Sequence, residues 1–431
     1  MTNIQLRDYQ QDAVKAWETN SHRGILQMAT GTGKTYTAIG AFDRLYNQQE
    51  SPLLVIVSVP YTHLAQQWAV SFSEWGYDSV AQLYGSRTRN WKSELSRLIS
   101  DLQIGLRSHE IVITTHATMA EEYFRNSIAD LDADSLLIAD EVHGLGSEHQ
   151  RRGLVEAHDF RLGLSATPRR YFDEEGTEFL LEYFNDIVFE FTLADAIPEY
   201  LVEYDYHPRI VEMTPDELKE YRSFSQQLAS AVNQEEPDEE LIQRLRIKRS
   251  KIVKSATQKY RELRSILDEL GEPDHLLIYT NHKQIDRVQN ICTERSIKQH
   301  RFTAEESDDE RARLLEQFSQ GHLDALVAMR CLDEGVDVPS TRQAIMMSNS
   351  GNRMQFVQRR GRVLRHAPGK DHATIYDLIV VPTLDPDRTL LQSERTIMET
   401  EIRRFEEFAE TARNEKQARS VIEPVRNAYN L

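Results

Sequence analysis

Short apolar runs alternate with stretches of helical spacing through the first 195 residues of the chain. Residues 25–28 form one such run, and a glycine-rich loop and the helix-spaced stretch Tyr36–Leu45 follow it. Another run, Ser135–Ala139, ends at two acidic residues. Strands that alternate with helices predict a doubly wound α/β domain, in which helices cover both faces of a mostly parallel sheet.

The same alternation returns near residues 272–385 and predicts a second α/β domain. Its strands are expected at Leu276–Thr280, Ala325–Met329, Gln343–Met347 and Ala373–Leu378. Between the two domains, Glu199–Glu212 alternates as a strand does. Thr214 and Glu217 then form a helix start, with Pro215 at the first helical position. We expect helices from there to about residue 270.

The last segment, residues 386–431, has helical spacing and no strand pattern. Its apolar stripe consists of Ile397, Ile402, Phe405 and Phe408. Two alternatives remain open for this tail. Either the stripe packs on the second domain, or the remainder near residues 412–431 docks a partner or orders the DNA path and can be removed from a folded protein.

The loop Ala29–Thr35 has the composition of a phosphate cradle between a strand and a helix. Its glycines let backbone N–H groups curl around phosphates at the positive end of the helix. Its lysine neutralises the β- and γ-phosphates, and the final threonine places its hydroxyl on Mg²⁺. The candidate nucleotide contacts are Gly31, Thr32, Gly33, Lys34 and Thr35. An ordinary glycine turn is the alternative for such a string taken alone.

Asp140 and Glu141 fall at the carboxyl end of the run Ser135–Ala139. Two adjacent acids leaving a buried strand are costly unless a cation compensates them. In an ATP-hydrolysing site, Asp140 would hold Mg²⁺, and Glu141 would act as the general base on the attacking water. A solvated strand end is the alternative.

The run Gln358–Arg365 lies in the second predicted domain and contains four arginines. Arginines there can reach the phosphate loop only from a second domain, so the active site would be split. A basic helix face or a nucleic-acid patch is the alternative for this run.

With these motifs in place, the chain resembles the superfamily 2 helicases and translocases of the DExH type up to about residue 385. The further motifs that carry the resemblance are Leu6–Gln10, Val55–Pro60 with Leu64–Trp68, Ile113–His116, Arg161–Pro168 and Ala325–Pro339. Met28 departs from the general pattern, which has glycine there. Met28–Thr35 and Asp140–His143 are similar to restriction-enzyme motor subunits and to transcription-repair helicases. Cys331–Pro339 with Gln358–Arg362 resembles stand-alone motors of DNA-modification and phage-defence systems.

The resemblance implies two tandem RecA-like domains with a helical insertion between them and a C-terminal helical tail. The implied segments are 1–195, 196–271, 272–385 and 386–431. It also implies residue roles. Arg362 and Arg365 become arginine fingers and Gln358 a γ-phosphate sensor. Gln10, with Arg7, reads the adenine, and Asp337 touches the ribose. His143, Ser165 and Thr167 couple ATP to nucleic acid, which Thr115 and Arg330 contact.

Composition limits the remaining possibilities. A length of 431 residues predicts two or three domains. The two cysteines, Cys292 and Cys331, have no metal-ligand spacing, and no apolar run approaches the ~20 residues of a membrane span. We therefore expect a cytoplasmic protein without disulfides or zinc. Its cofactors would be ATP and Mg²⁺.

The net charge of −18 is unusual for a protein that binds nucleic acid. It predicts modest intrinsic affinity that weakens quickly with salt. A local basic run offers a contact surface: Arg244, Arg246, Lys248, Arg249, Lys251, Lys254, Lys259, Arg261 and Arg264. This run is either a solvated helix or a basic helix along a nucleic-acid cleft.

These observations predict an ATP-dependent translocase or helicase, acting on DNA more than on RNA. Restriction, phage defence or repair would be its setting. An RNA helicase and an ATP-gated sensor without processive movement are the alternatives. No nuclease pattern is visible, so a nuclease or modification-reading subunit is a candidate partner, and no membrane association is expected.

Overall fold

The computed structural model describes residues 4–85, 90–170, 173–234, 237–303, 305–329, 338, 340–348, 353–384 and 391–429. The chain divides into two compact units, Met1–Ala196 and Ile197–Leu431. Within the described ranges, no helix combines the length and the apolar character that a membrane span requires.

The first unit is a seven-stranded parallel sheet in the order β3-β4-β2-β5-β6-β1-β7. Its strands are β1 Arg23–Met28, β2 Leu53–Val59, β3 Val80–Leu83, β4 His109–Thr115, β5 Asp134–Asp140, β6 Phe160–Ser165 and β7 Ile187–Phe191. Its helices are α1 Asp8–Thr19, α2 Lys34–Gln48, α3 Thr62–Trp75, α4 Trp91–Gln103, α5 His116–Met119, α6 Glu122–Ala129, α7 Glu174–Phe184 and α8 Leu193–Ala196. Strand β2 is buried along its whole length, because helices cover both faces of the sheet.

The second unit is a six-stranded parallel sheet in the order β10-β11-β9-β12-β13-β8. Its strands are β8 Glu203–Glu212, β9 Leu276–Tyr279, β10 Gln299–Phe302, β11 Ala325–Ala328, β12 Gln343–Met346 and β13 His372–Val381. Its helices are α9 Pro215–Val232, α10 Glu239–Lys254, α11 Lys259–Leu270, α12 Ile285–Thr293, α13 Asp308–Ser319, α14 Arg353–Val363, α15 Gln392–Ala409 and α16 Glu415–Tyr429. The fold is therefore two tandem RecA-like α/β domains with a helical C-terminal segment, as predicted.

The strand expected in the connecting stretch is the edge strand of the second sheet. Strand β8 pairs with β13 in parallel over ten residues, from Glu203 opposite His372 to Glu212 opposite Val381. Helix α9 begins at the predicted cap, where the Thr214 side chain accepts from the Glu217 backbone N–H at 3.3 Å. The predicted segment boundaries stay predictions, but β8 belongs to the second sheet and not to a separate insertion.

The tail packs on the second sheet, as the packing alternative predicts. Phe405 and Phe408 are buried in α15. In α16, the buried side chains are Ala418, Ile422, Val425 and Tyr429. Between the helices, the Asn414 amide donates to the Tyr206 carbonyl at 3.1 Å and accepts from the Tyr206 N–H at 2.8 Å. The edge of β8 is thus covered by the tail.

Truncation after residue 411 is expected to destabilise the second unit by at least about 5 kcal/mol, because it exposes surface that four buried side chains of α16 cover. For a unit of this size, the melting temperature should fall by about 10–20 °C. Differential scanning calorimetry measures this change, with Lys416→Ala as the control because Lys416 is exposed on α16. An unchanged melting temperature of the truncated chain would show that the α16 contacts contribute little.

Candidate active site

The loop between β1 and α2 has the backbone shape of an anion cradle. Gly31 and Gly33 have φ angles of 92° and 81°, in the left-handed region that glycine adopts without strain. At Gly33, a Cβ atom would also lie 2.7 Å from the Gln10 amide nitrogen. The Thr32 hydroxyl holds the turn by donating to the Ala29 carbonyl at 2.7 Å. Helix α2 begins at Lys34, directly after Gly33, so the free N–H groups of its first turn face the loop.

The lysine and the threonine that are expected to contact the phosphates and Mg²⁺ are the first two residues of α2. Lys34 folds back over the loop and donates from Nζ to the Met28 carbonyl at 3.2 Å. Thr35 follows in the first helical turn, where it is partly exposed. The Met28 carbonyl is a neutral acceptor, so the Lys34 ammonium can exchange this hydrogen bond for phosphate oxygens.

Asp140 is buried at the end of β5 with both carboxylate oxygens engaged. Its Oδ2 accepts from the Trp68 indole N–H at 2.8 Å, and its Oδ1 accepts from the Glu141 backbone N–H at 3.0 Å. Burial, and next the charge of Glu141, raise the pKa of Asp140 to about 6. The negative charge is therefore only partly compensated by the protein.

Glu141 has a φ angle of 46°, which is strained for a residue with a side chain. Its Oε2 is buried without a hydrogen-bond partner among the described atoms. An orphaned carboxylate oxygen beside a second buried acid fits a site for a divalent cation. Asp140 and Thr35 would hold Mg²⁺ there, and the ion would supply compensation for phosphate charge.

His143 connects the acid pair to the loop after β6. Its Nδ1 lies 3.4 Å from Glu141 Oε2 and 3.2 Å from the Ser165 hydroxyl. Burial and the charge of Arg170 lower the pKa of His143 to about 4, so the imidazole is neutral near pH 7. The Ser165 hydroxyl also accepts from the Thr167 backbone N–H at 3.0 Å. The structure thus brings the three predicted coupling residues together.

Gln10 lies against the phosphate loop, although its predicted role is to read adenine. Its amide nitrogen is 3.4 Å from the Thr32 carbonyl and 3.2 Å from the Gly33 carbonyl, to which it donates. Its Oε1 accepts from the Arg7 backbone N–H at 3.0 Å. Reading an adenine edge would require this amide to give up contacts that it makes here.

Thr115, a predicted nucleic-acid contact, is buried at the start of α5. Its hydroxyl accepts from the Thr118 backbone N–H at 3.2 Å, as a helix N-cap does. Two other predicted residues, Arg330 and Asp337, lie outside the described part of the chain.

Trp68 and His116 lie beside the acids, although the sequence predicted no role for them in the site. Trp68 was placed in a strand-contacting motif, but its indole bonds Asp140. His116 is fully buried, with Nδ1 2.7 Å from the Ser58 hydroxyl. Burial lowers the pKa of His116 to about 3. Both side chains lie 24 or more residues from the acids in sequence, and no local pattern indicates such contacts.

The predicted arginine run forms helix α14 and the residues after it. Gln358 and Arg362 are buried, so they do not form a solvated basic face. Arg359 donates to the Ser348 carbonyl at 2.7 Å, which fixes one side of the helix. Arg365 follows the helix end at Val363.

The first unit has a glycine-rich cradle before a helix and an acid pair at the end of a buried strand. The second RecA-like unit has an arginine-bearing helix. Together these features define a class, the motor ATPases with tandem RecA-like domains. Two family models match the chain: "Type III restriction enzyme, res subunit" over residues 3–170, and "Helicase conserved C-terminal domain" over residues 258–367. The chain is a superfamily 2 helicase related to restriction-enzyme motors, and it belongs to an ATP-hydrolysing family.

Individual relatives agree with this assignment. The chain is 27% identical over 404 residues to the DNA 3'-5' translocase XPB2 of Sulfurisphaera tokodaii, covering 89% of this chain and 83% of the relative. It is 26% identical over 400 residues to the DNA 3'-5' helicase XPB of Kineococcus radiotolerans, covering 89% of this chain and 61% of that helicase. A structure titled "ATP-dependent Type ISP restriction-modification enzyme LlaBIII bound to DNA" shares the fold, with a TM-score of 0.65 and 17% identity over 93% of this chain and 29% of that one.

Proposed function

We propose that this chain is an ATP-dependent DNA translocase or helicase that works in the cytoplasm in restriction, phage defence or repair. The observation that carries the proposal is the His143 link, which joins the acid pair to the loop after β6 through Ser165. When a hydrolytic centre contacts a neighbouring loop, a change in the bound nucleotide can change the conformation of that loop. The DNA names of the relatives support the choice of substrate.

In this proposal, the first unit binds and activates ATP. Lys34 neutralises the β- and γ-phosphates, and backbone N–H groups at Gly31 and Gly33 surround them. Glu141 withdraws a proton from the attacking water, since its buried Oε2 makes no hydrogen bond among the described atoms and has the neutral His143 imidazole 3.4 Å away. Strands β1 and β5 both run parallel to β6, so the cradle and Glu141 follow carboxyl ends at the same edge of the sheet.

The second unit supplies arginines that stabilise the negative charge developing on the phosphate oxygens as the bond to the γ-phosphate breaks. We assign this role to Arg362 and Arg365, with Gln358 sensing the γ-phosphate. Loss of the γ-phosphate would release these side chains, so they would change partners once in each turnover. A bound strand then advances by one step per cycle.

Local charge makes DNA binding compatible with the net charge of −18. Helix α10 carries six basic residues and two acidic ones, a surplus of +4. Arg244, Arg246, Lys248 and Lys251 are exposed on it. We place a phosphate-contacting surface here, and we expect it to act with a nuclease or modification-reading partner subunit.

A nucleic-acid panel tests the proposal. ATPase rates are measured with single-stranded DNA, duplex, forked DNA and RNA, each at two salt concentrations. We expect DNA to stimulate hydrolysis more than RNA does, with a steep loss of stimulation at the higher salt. Triplex displacement then separates movement along DNA from an ATP-gated sensor, which would bind without displacing the third strand. Greater stimulation by RNA would favour the RNA helicase.

A further inference from the structure

Helix α14 is attached to the tail by the side chain of Arg360. Its Nη1 donates to the Glu407 backbone carbonyl and lies 3.5 Å from the Tyr204 hydroxyl. Its guanidinium lies over the Phe408 ring, 4.9 Å from the ring centroid. The Glu407 carbonyl, the Tyr204 hydroxyl and the Phe408 ring form a socket for the guanidinium. Arg360 is 4% exposed, so this socket replaces its hydration shell. One arginine of the run that was assigned to catalysis is therefore directed into the tail.

The socket suits a guanidinium more than another side chain. Glu407 lies in the last turn of α15, where helix carbonyls carry partial negative charge. Its side-chain Oε1 is also 3.6 Å from Arg360 Nη2. An aromatic face adds a further attraction for a planar cation. A neutral side chain at position 360 would leave the carbonyl and the ring without this partner.

The socket is itself fixed to the sheet. Arg404, one turn before it on α15, donates to Asp377 on β13 at 3.1 and 3.2 Å and to Glu401 at 2.8 Å. The Tyr206 hydroxyl on β8 donates to the same aspartate at 2.9 Å. Displacing α15 would separate buried charges, which is strongly unfavourable. The tail therefore offers α14 a rigid support.

Helix α14 has other supports besides the Arg360 contacts and the Arg359 hydrogen bond to Ser348. The Phe356 ring lies 5.8 Å from the Phe408 ring, so its first half also touches α15. At its end, the buried Lys370 ammonium donates to the carbonyls of Val363 and Arg365 at 2.6 and 2.7 Å. The contacts of Arg360 and Phe356 are with the tail, which lies outside the regions that the family models match.

We infer that Arg360 is a positioning residue for ATP hydrolysis, through which the tail helix α15 holds α14 at the rotation that catalysis requires. The inference rests on the proposed finger role of Arg362. Residues two apart on a helix point roughly 200° apart, so Arg360 and Arg362 project from opposite sides of α14. Anchoring one side fixes the direction of the other.

A small rotation is enough to affect the reaction. A guanidinium lies roughly 6–8 Å from the helix axis, so a turn of about 10° moves it by about 1 Å. A misplacement of 1 Å at a reacting group can cost about 10²-fold in rate. Loss of the anchor should thus lower kcat and leave the affinity for ATP nearly unchanged, because fingers act on charge that develops in the transition state.

The test compares Arg360→Met with Arg419→Met in the full chain. Arg419 also pairs with tail carboxylates, at Glu406 and Glu415, and neither of these partners lies on α14. We expect Arg360→Met to lower kcat about 10–100-fold, with KM for ATP and binding of a fluorescent ATP analogue within about twofold of wild type. Arg360→Lys, which keeps a donor for the Glu407 carbonyl, should recover part of the loss. Arg419→Met should keep the wild-type kcat.

Three outcomes decide the inference. A lower melting temperature with unchanged kcat in Arg360→Met would overturn it and leave Arg360 a purely structural anchor. If Arg360→Met does not fold, Phe408→Leu replaces it, since leucine removes the ring under the guanidinium and keeps apolar volume; unchanged kcat there also overturns the inference. Arg362→Ala in parallel tests the proposed function separately, because unchanged turnover in that variant removes the finger role itself.

Discussion

Replacing Arg362 by alanine is expected to lower ATP turnover by about 10³–10⁵-fold, because a finger arginine stabilises charge that exists only in the transition state. Binding of ATP should stay nearly intact, since the cradle residues Lys34 and Gly33 belong to the first unit. Single-turnover hydrolysis and the anisotropy of a fluorescent ATP analogue measure the two quantities on the same protein. Arg365→Ala is expected to behave in the same way.

Arg244→Ala is the matched control for this prediction. Arg244 is exposed on α10, where it pairs with Glu240 at 3.6 Å. Its loss should weaken DNA binding slightly and leave the basal rate without DNA unchanged. If Arg362→Ala instead lost DNA binding and kept its ATPase, the arginine run would be a nucleic-acid patch and the finger assignment would be wrong.

The local parts of the site were predictable from the sequence. Strand β1, the glycine-rich loop and helix α2 follow one another directly in the sequence. The left-handed φ angles at Gly31 and Gly33 explain why those residues are glycines. The acids at the end of β5 were equally visible, because a buried strand that ends in two carboxylates is uncommon without a cation.

Contacts between distant segments were not predictable in the same way. Trp68 and Asp140 are 72 residues apart, and β8 pairs with β13 across more than 160 residues. Periodicity states which face of an element is apolar, but it does not state which neighbour covers that face. The same limit applies to the tail, whose stripe could be recognised although its place on β8 could not.

Gln10 shows a second reason for a difference between motif and structure. A carboxamide has both donors and acceptors to satisfy, so its side chain can bond to more than one kind of partner. Here the phosphate-loop carbonyls of Thr32 and Gly33 take its N–H groups. A motif identifies the residue type that chemistry needs, whereas the partner depends on the state of the site.

Glu141→Gln is expected to bind ATP and to lower its hydrolysis by about 10²–10⁴-fold, the range that a general base contributes. Glutamine keeps the shape of the side chain but cannot accept a proton from water near pH 7. The charge of Glu141 is one cause of the raised pKa of Asp140, so its removal should lower that pKa and favour the ionised aspartate. Nucleotide binding should therefore survive to lower pH in this variant than in the wild type.

Two further variants make the result specific to the base. Lys34→Ala should lose ATP affinity, because it removes the cation that faces the β- and γ-phosphates. Glu148→Gln removes a carboxylate that is exposed seven residues further along, and it should hydrolyse ATP at the wild-type rate. Rapid-quench hydrolysis with saturating nucleotide separates chemistry from binding in all three. If Glu141→Gln hydrolyses ATP at nearly the wild-type rate while Lys34→Ala does not bind, the cradle is correctly placed and another group must accept the proton from water.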